Sequence, residues 1–371
     1  MPRDTIDGDG VRLRPVHEDD VDDIVAACAD PSTLRFLHNM PDPYTHDDAL
    51  WWVTVGAPVG WANGGAQYTI VDPLTDRLWG SIGITRVFPE RAQGEIGYWV
   101  APWARGRHVA TAAARTLTDW AFRHGLARLE LLTEWENIAS QRVALGAGYQ
   151  REGVRRSAGK TRGGGRHDLI AWARVVGDPD APVPRLLPDL PDGRLSDGTV
   201  TLRPLAVEDT DALYFLRTLP EVVATTVPGA TPDRAAVARI CARAEARWLA
   251  GERAELALCD AETGEFAGEI ALYLQDPLCG QAMIGYSMLP AWRGRGYPVR
   301  AVRLLAHWAF DEVGLSRLIA GTDPANHASQ RVLEKVGFTR EGYQRDRLPT
   351  ATGGRQDDVL WGLLPRDLSA G

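Results

Sequence analysis

Pro290-Ala-Trp-Arg-Gly-Arg-Gly-Tyr297 joins an apolar strand pattern, Ala282-Met-Ile-Gly-Tyr-Ser-Met-Leu289, to an amphipathic helix pattern that runs to about Val313. A strand feeding a glycine-rich turn that opens a helix makes a natural anion site. The unpaired N–H groups of the first helical turn and the positive end of the helix dipole face one spot, and glycine lets the backbone come close to it. The same arrangement occurs earlier, at Pro102-Trp-Ala-Arg-Gly-Arg-His-Val109.

The matches extend on both sides of the two turns. Val11-Arg-Leu-Arg-Pro15 recurs as Val200-Thr-Leu-Arg-Pro204, and Gly97-Tyr98 recurs as Gly285-Tyr286. Trp120-Ala-Phe122 recurs as Trp308-Ala-Phe310, and Asn137 with Ala139-Ser-Gln-Arg-Val143 recurs as Asn326 with Ala328-Ser-Gln-Arg-Val332, at offsets of 188 and 189. That period is too long for a solenoid, whose repeats run roughly 20–50 residues. The chain therefore reads as two copies of one domain, 1–177 and 198–371. Residues 178–197, with Pro179, Pro182, Pro184, Pro188 and Pro191, read as an extended linker.

Each copy carries a strand, two helices, three strands, then helix–strand–helix and two strands, the second helix of the first copy expected over residues 46–55. Gly148 and Gly337 stand where they stop the shorter of the last two helices. This order predicts an α/β fold, a mixed sheet with helices on both faces. The Arg155–Arg166 cluster around Gly163-Gly-Gly165 reads as a mobile basic loop between the last two strands.

Composition bounds the rest. The 371 residues carry a net charge of −8, which implies no basic face and argues against nucleic acid as a partner. Cys28, Cys241, Cys259 and Cys279 show neither metal-ligand spacing nor a paired framework, so free thiols in a reducing cytoplasm are expected. No signal peptide is visible. The uncharged stretch from Ala49 to Val71 holds four glycines and Pro58, which suits a helix, a loop and a strand, so no membrane partner is expected. The histidines show no ligand spacing, and no metal is expected.

Gly-Tyr on the strand, Arg-x-x-Gly at the turn and Asn-x-x-Ser about thirty residues on together resemble the GNAT N-acetyltransferases. The likeness is nearest to the branch acting on ribosomal-protein N-termini and small amines. It covers nearly all of both copies and implies two tandem GNAT-like domains, each with a mostly antiparallel sheet that splays after the strand before the turn. Acetyl-CoA is the implied cosubstrate, its pantetheine arm entering where the sheet splays beside Val100 and Leu289. The implied pyrophosphate turns are Arg105, Gly106, Arg107, His108 and Ala110 in the first copy, and Arg293, Gly294, Arg295 and Gly296 in the second. Asn137 and Asn326 would cap the next helix and contact pantetheine, while Ser140 and Ser329 would protonate the departing thiolate.

The chemistry asks for those residue types. An amine must lose a proton to attack a thioester, and a carboxylate is the usual base. Glu95 is the candidate; Met283 takes its place in the second copy, where Glu269 on the neighbouring strand could substitute. Each copy also departs once at the turn, through His108 for glycine and through Pro298 for a small residue. The expected function is acetyl transfer to a primary amine, a small metabolite or a protein N-terminus. One alternative is a single catalytic copy beside a degenerate one; another is a non-catalytic acyl-CoA sensor. A monomer with pseudo-dimeric domains and a homodimer both fit.

Overall fold

The computed structural model describes residues 1–227, 229–350 and 353–368. The chain splits into two compact units, Met1–Pro184 and Arg185–Gly371. In the first, β1 (Ile6–Asp7) and β2 (Arg12–Pro15) lead into α1 (Val21–Cys28) and the short α2 (Pro31–Leu34). Next come α3 (His46–Trp51), a π-helical turn at Trp52–Gly56, and α4 (Ala57–Ala62). A meander of β3 (Ala66–Val71), β4 (Leu78–Phe88) and β5 (Gln93–Val100) precedes α5 (Val109–Arg123). The unit closes with β6 (Arg128–Glu134), α6 (Ile138–Gly146), β7 (Gln150–Lys160) and β8 (Arg166–Val175).

The second unit repeats this order. It runs β9 (Leu195–Ser196), β10 (Val200–Pro204), α7 (Thr210–Thr218), α8 (Pro220–Val223), α9 (Arg234–Leu249), β11 (Arg253–Asp260), β12 (Phe266–Asp276) and β13 (Gln281–Met288). Then follow α10 (Tyr297–Asp311), β14 (Arg317–Thr322), α11 (His327–Val336), β15 (Thr339–Pro349) and β16 (Arg355–Leu363). Each unit forms one 8-stranded mixed sheet, ordered β1-β2-β3-β4-β5-β6-β8-β7 and β15-β16-β14-β13-β12-β11-β10-β9.

Local chemistry sets the boundaries. Asp30 accepts from Thr33 N while Pro31 opens α2, and Thr45 with Asp48 forms a capping box for α3. Gly337 ends α11 at φ 114, and Gly148 takes φ 81 just past α6. On α5, Ala113, Leu117, Trp120 and Ala121 are all buried, as the periodicity predicts; on α10, Val302, Leu305, Ala306 and Ala309 are. In both units an indole anchors the last strand to the middle of the sheet. Trp172 Nε1 donates to Thr133 Oγ1 at 3.0 Å, and Trp361 Nε1 donates to Thr322 Oγ1 at 3.0 Å.

Three expectations change. The helix expected to end at Val55 continues to Ala62, because the π-helical turn before Pro58 accommodates a residue that cannot donate to the helical ladder. The basic segment expected as a loop is a hairpin, with β7 and β8 paired from Gln150↔Ala173 to Lys160↔Arg166. Within it Arg155 reaches Glu130 across the sheet at 2.7 Å. The proline-rich segment 178–197 contains the boundary between the two units and packs closely. Leu187 and Leu190 are buried in the core of the second unit, Trp248 Nε1 donates to Pro188 O at 3.0 Å, and β9 pairs with β10. Proline keeps this backbone extended, and its two leucines bury it.

Candidate active site

In each unit the sheet opens at one place. β5 pairs with β4 from Gln93 to Val100, yet its parallel pairing with β6 covers only Gln93, Gly94 and Glu95. β13 likewise pairs with β12 up to Met288 but with β14 only over Gln281, Ala282 and Met283. From Ile96 and from Ile284 onward, one edge of the strand has no neighbouring strand among the described residues. Backbone amides along such an edge can pair with an extended ligand laid between the parted strands.

A pair of hydroxyls closes the inner wall of each gap. Tyr98 OH lies 2.8 Å from Ser140 Oγ, and Tyr286 OH lies 2.8 Å from Ser329 Oγ. The serines are set by helix caps: Asn137 Oδ1 accepts from Ser140 N, and Asn326 Oδ1 accepts from Ser329 N, both at 3.1 Å. Burial raises the pKa of both phenols, Tyr286 up to about 12, so each keeps its proton at neutral pH. Sequence reasoning treats these tyrosines as wall residues. Their repetition in step with the two serines is the signal that joins them.

The glycine-rich turns present the backbone as expected. Gly294 and Gly296 take φ 74 and 79; Gly106 takes φ 72, and His108 is forced into the same left-handed region at φ 58. Arg107 and Arg295 stay exposed over the rings of Trp79 and Trp292, at 4.4 and 5.0 Å. Arg105 and Arg293 do something else. Arg105 donates to Val100 O at 3.3 Å, Asp30 Oδ2 at 2.8 Å and Thr33 Oγ1 at 2.6 Å. Arg293 donates to Met288 O at 2.9 Å and Glu221 Oε1 at 2.9 Å. Each guanidinium ties the end of the opened strand to the loop or short helix after the first long helix. The turn amides stand at the starts of α5 and α10, where a helix leaves its first N–H groups without intrahelical partners. In α10 Pro298 follows Tyr297 at the helix start and withholds one such amide.

The opposite face of the sheet differs between the units. In the first, Glu95 accepts from Arg86 at 3.2 Å, and burial raises its pKa despite that arginine and Arg155. It stands opposite Glu130 on β6. Burial pushes Glu130 up, but hydrogen bonds from Arg128 and Arg155 outweigh it and hold the carboxyl below its usual range. In the second unit Met283 occupies the place of Glu95. Glu269 is bidentate with Arg217, at 3.0 and 2.6 Å, and is therefore tied up as an ion-pair partner. Sequence reasoning passes over Asp358, a fully buried carboxyl on β16 that pairs with Arg347 and whose pKa burial raises. The first copy carries Leu169 at that position, and this contrast is the signal that marks it. His38, Glu134 and His167, from three separate elements, also converge on this face of the first unit. Beside them a cavity of about 530 Å³ is lined by residues including Leu34, Arg35, His38, Asp42 and Arg162.

The acetyltransferase (GNAT) domain family matches residues 11–150 and again 199–339. YjcK of Bacillus subtilis (strain 168), named a probable N-acetyltransferase, is 42% identical over 86 residues, 23% of this chain and 48% of YjcK. The chain thus spans about half the length of that relative. The uncharacterized N-acetyltransferase p20 of Bacillus licheniformis is 29% identical over 170 residues, 45% of this chain and 94% of p20. The [ribosomal protein uS5]-alanine N-acetyltransferase of Escherichia coli (strain K12) is 31% identical over 88 residues, 24% of this chain and 45% of that enzyme. With two family matches laid over two similarly built open sheets, the chain belongs to the acetyltransferase (GNAT) family and carries its domain twice.

Proposed function

We propose that the chain is an acetyl-CoA-dependent N-acetyltransferase that moves an acetyl group to a primary amine, either a small metabolite or a protein N-terminus. The observation that carries this reading is the Tyr–Ser hydroxyl pair at 2.8 Å in each opened sheet. The residues fit the cosubstrate. The left-handed turns at Gly106–His108 and Gly294–Gly296 aim amides at a pyrophosphate, and the open edges beyond Glu95 and Met283 suit an extended pantetheine. When bound, acetyl-CoA would supply the activated acetyl group: the amine nitrogen bonds to its carbonyl carbon, and the C–S bond breaks to give the amide and the coenzyme A thiolate.

The chain's own groups then divide the work. Glu95, which burial makes more basic than an exposed glutamate, takes the proton from the amine nitrogen directly or through water. The hydroxyl pair steadies the leaving sulfur. An ordinary thiol has a pKa of about 8.5, so a phenol raised well above that stabilises the thiolate by donating a hydrogen bond and largely keeps its proton. Ser140 and Ser329 relay that bond, and solvent completes protonation.

Met283 supports a second reading in which only the first domain transfers the acetyl group and the second binds coenzyme or shapes the chain. Four free cysteines, of which Cys28, Cys241 and Cys259 are buried, suit a reducing, cytoplasmic setting. Among the described residues no helix is long and apolar enough to cross a membrane. The test is thiol release from acetyl-CoA by the full chain against a panel of small amines and N-terminal peptides. At least one amine should give turnover, and alanine at Ser140 or at Ser329 should slow whichever domain is active. Coenzyme binding without release for every amine would replace the enzyme with a sensor.

A further inference from the structure

We propose that His38, Glu134 and His167 form a divalent transition-metal site of the first domain. The three come from the loop after α2, the end of β6 and the start of β8. His38 Nε2 lies 2.7 Å and His167 Nε2 lies 3.6 Å from the same carboxylate oxygen, Glu134 Oε1. One ligand atom from each residue falls within 4.8 Å of the others. A tetrahedral ion with bonds of about 2.1 Å spaces its ligand atoms about 3.4 Å apart, so the His38–Glu134 contact of 2.7 Å would open slightly and His167 would draw in. Two imidazoles and one carboxylate on one side of an ion are a donor set suited to zinc and its neighbours.

The surroundings of His167 bear on the site. Its Nδ1, the ring nitrogen not offered to the ion, is buried with no hydrogen-bond partner among the described residues, so a water there would complete the ring's hydrogen bonding. The ring also has a place cleared for it. A Cβ at Gly159 would sit 2.3 Å from His167 Nε2, although the backbone there is open to any residue. The side chains are 22%, 17% and 23% exposed, buried enough to weaken hydration yet reachable from solvent. His38 also lines the 530 Å³ cavity, which leaves room for a water or a substrate atom at a fourth position. The expectation of no metal rests on local spacing, and these ligands are distant in sequence.

The second domain is an internal control. An offset of 189 residues from the three ligands leads to Val227, Asp323 and Gln356, which cannot make the same set. An ion in the first domain would fasten the loop carrying His38 to the sheet on the face that holds Glu95. The site stands whichever domain transfers the acetyl group.

Cobalt(II) is the probe. The untagged full chain, stripped with a chelator, is titrated with cobalt(II) and followed by equilibrium dialysis and visible ligand-field bands. The expected result is one tight equivalent with the bands of a four- or five-coordinate ion. Glu134→Gln and His167→Ala should each weaken it at least about 100-fold, since hydrogen-bond partners of ligands alone are worth 10–100-fold. Gly159→Ala, which touches no ligand bond but displaces the His167 ring, should weaken it as well. His307→Ala, on an exposed helix face of the second domain, should leave it unchanged. A folded wild-type chain that takes up no stoichiometric cobalt overturns the proposal, whatever the variants do. So does uptake that survives both Glu134→Gln and His167→Ala.

Discussion

The two domains agree on the inner face of the sheet and part company on the other. The hydroxyl pair, its asparagine cap, the opened strand and the indole anchor recur with matching distances. Across the sheet, the second domain buries charge where the first does not. Arg217 and Glu269 form a bidentate pair, and Glu255 lies 3.3 Å from Arg247. The first domain has Cys28, Ser81 and Gln67 at the corresponding places. It keeps Glu95 and gains the His38–Glu134–His167 cluster, while the second has Met283 and the buried Asp358. A duplicated domain that holds one face fixed and rewrites the other has been free to change what that other face meets.

The largest effect should come from breaking the second domain's charge pair. Arg217→Leu leaves Glu269 without its partner in a site where the two side chains are 22% and 15% exposed, at a cost of about 3 kcal/mol. Hydrogen exchange in rising urea should show β11 and β12 opening at lower denaturant, with the first domain's strands unchanged. Equal protection in both would mean the pair contributes little.

Glu95→Gln tests the other half of the contrast. It should lower kcat/KM on the order of 100-fold. Because burial raises Glu95, the wild-type rate should fall as pH drops through a value above the ordinary glutamate range, and the variant should lose that acid limb. An unchanged profile would move the base elsewhere, with Asp358 the carboxyl to replace next.

Tyr98→Phe and Tyr286→Phe remove one hydrogen bond from each gap. The variant in the active domain should lose about tenfold in kcat, the worth of about 1.4 kcal/mol, and its twin should lose little. Equal losses would indicate two working sites. His108→Gly is the mildest change. It relieves a left-handed residue at φ 58 and should stabilise the first domain by about 1 kcal/mol while tightening coenzyme binding, read by thermal melts and titration calorimetry.

Much of this was legible in the residues. The apolar periods, the turn glycines and the self-match at 189 residues carry both sheets and their order, because local patterning and backbone conformation are properties of short stretches. Asn137 and Asn326 were legible for the same reason, as caps. Side-chain partnerships across the fold were not. Arg105 reads as a phosphate ligand from its turn alone, and its partners at positions 30 and 33 come into view only in the fold. Leu187 and Leu190 look like linker residues until a core is found to receive them. His38 and Glu134 are 96 residues apart, and only the sheet brings them within 2.7 Å.

The arginine ties at the two turns have one more consequence. Arg105 holds the strand end at Val100 and the start of α2 with one guanidinium, and Arg293 does the same between Met288 and Glu221. The segment that Arg105 holds at Asp30 and Thr33 continues to Leu34 and His38 on the wall of the 530 Å³ cavity. A shift of the first turn would therefore reach the cavity wall through a single side chain. Linkage would make such a connection mutual: the factor by which a ligand at the turn alters affinity at the cavity is the factor by which a ligand at the cavity alters affinity at the turn. In the first domain one arginine thus makes the turn and the cavity wall a single mechanical unit.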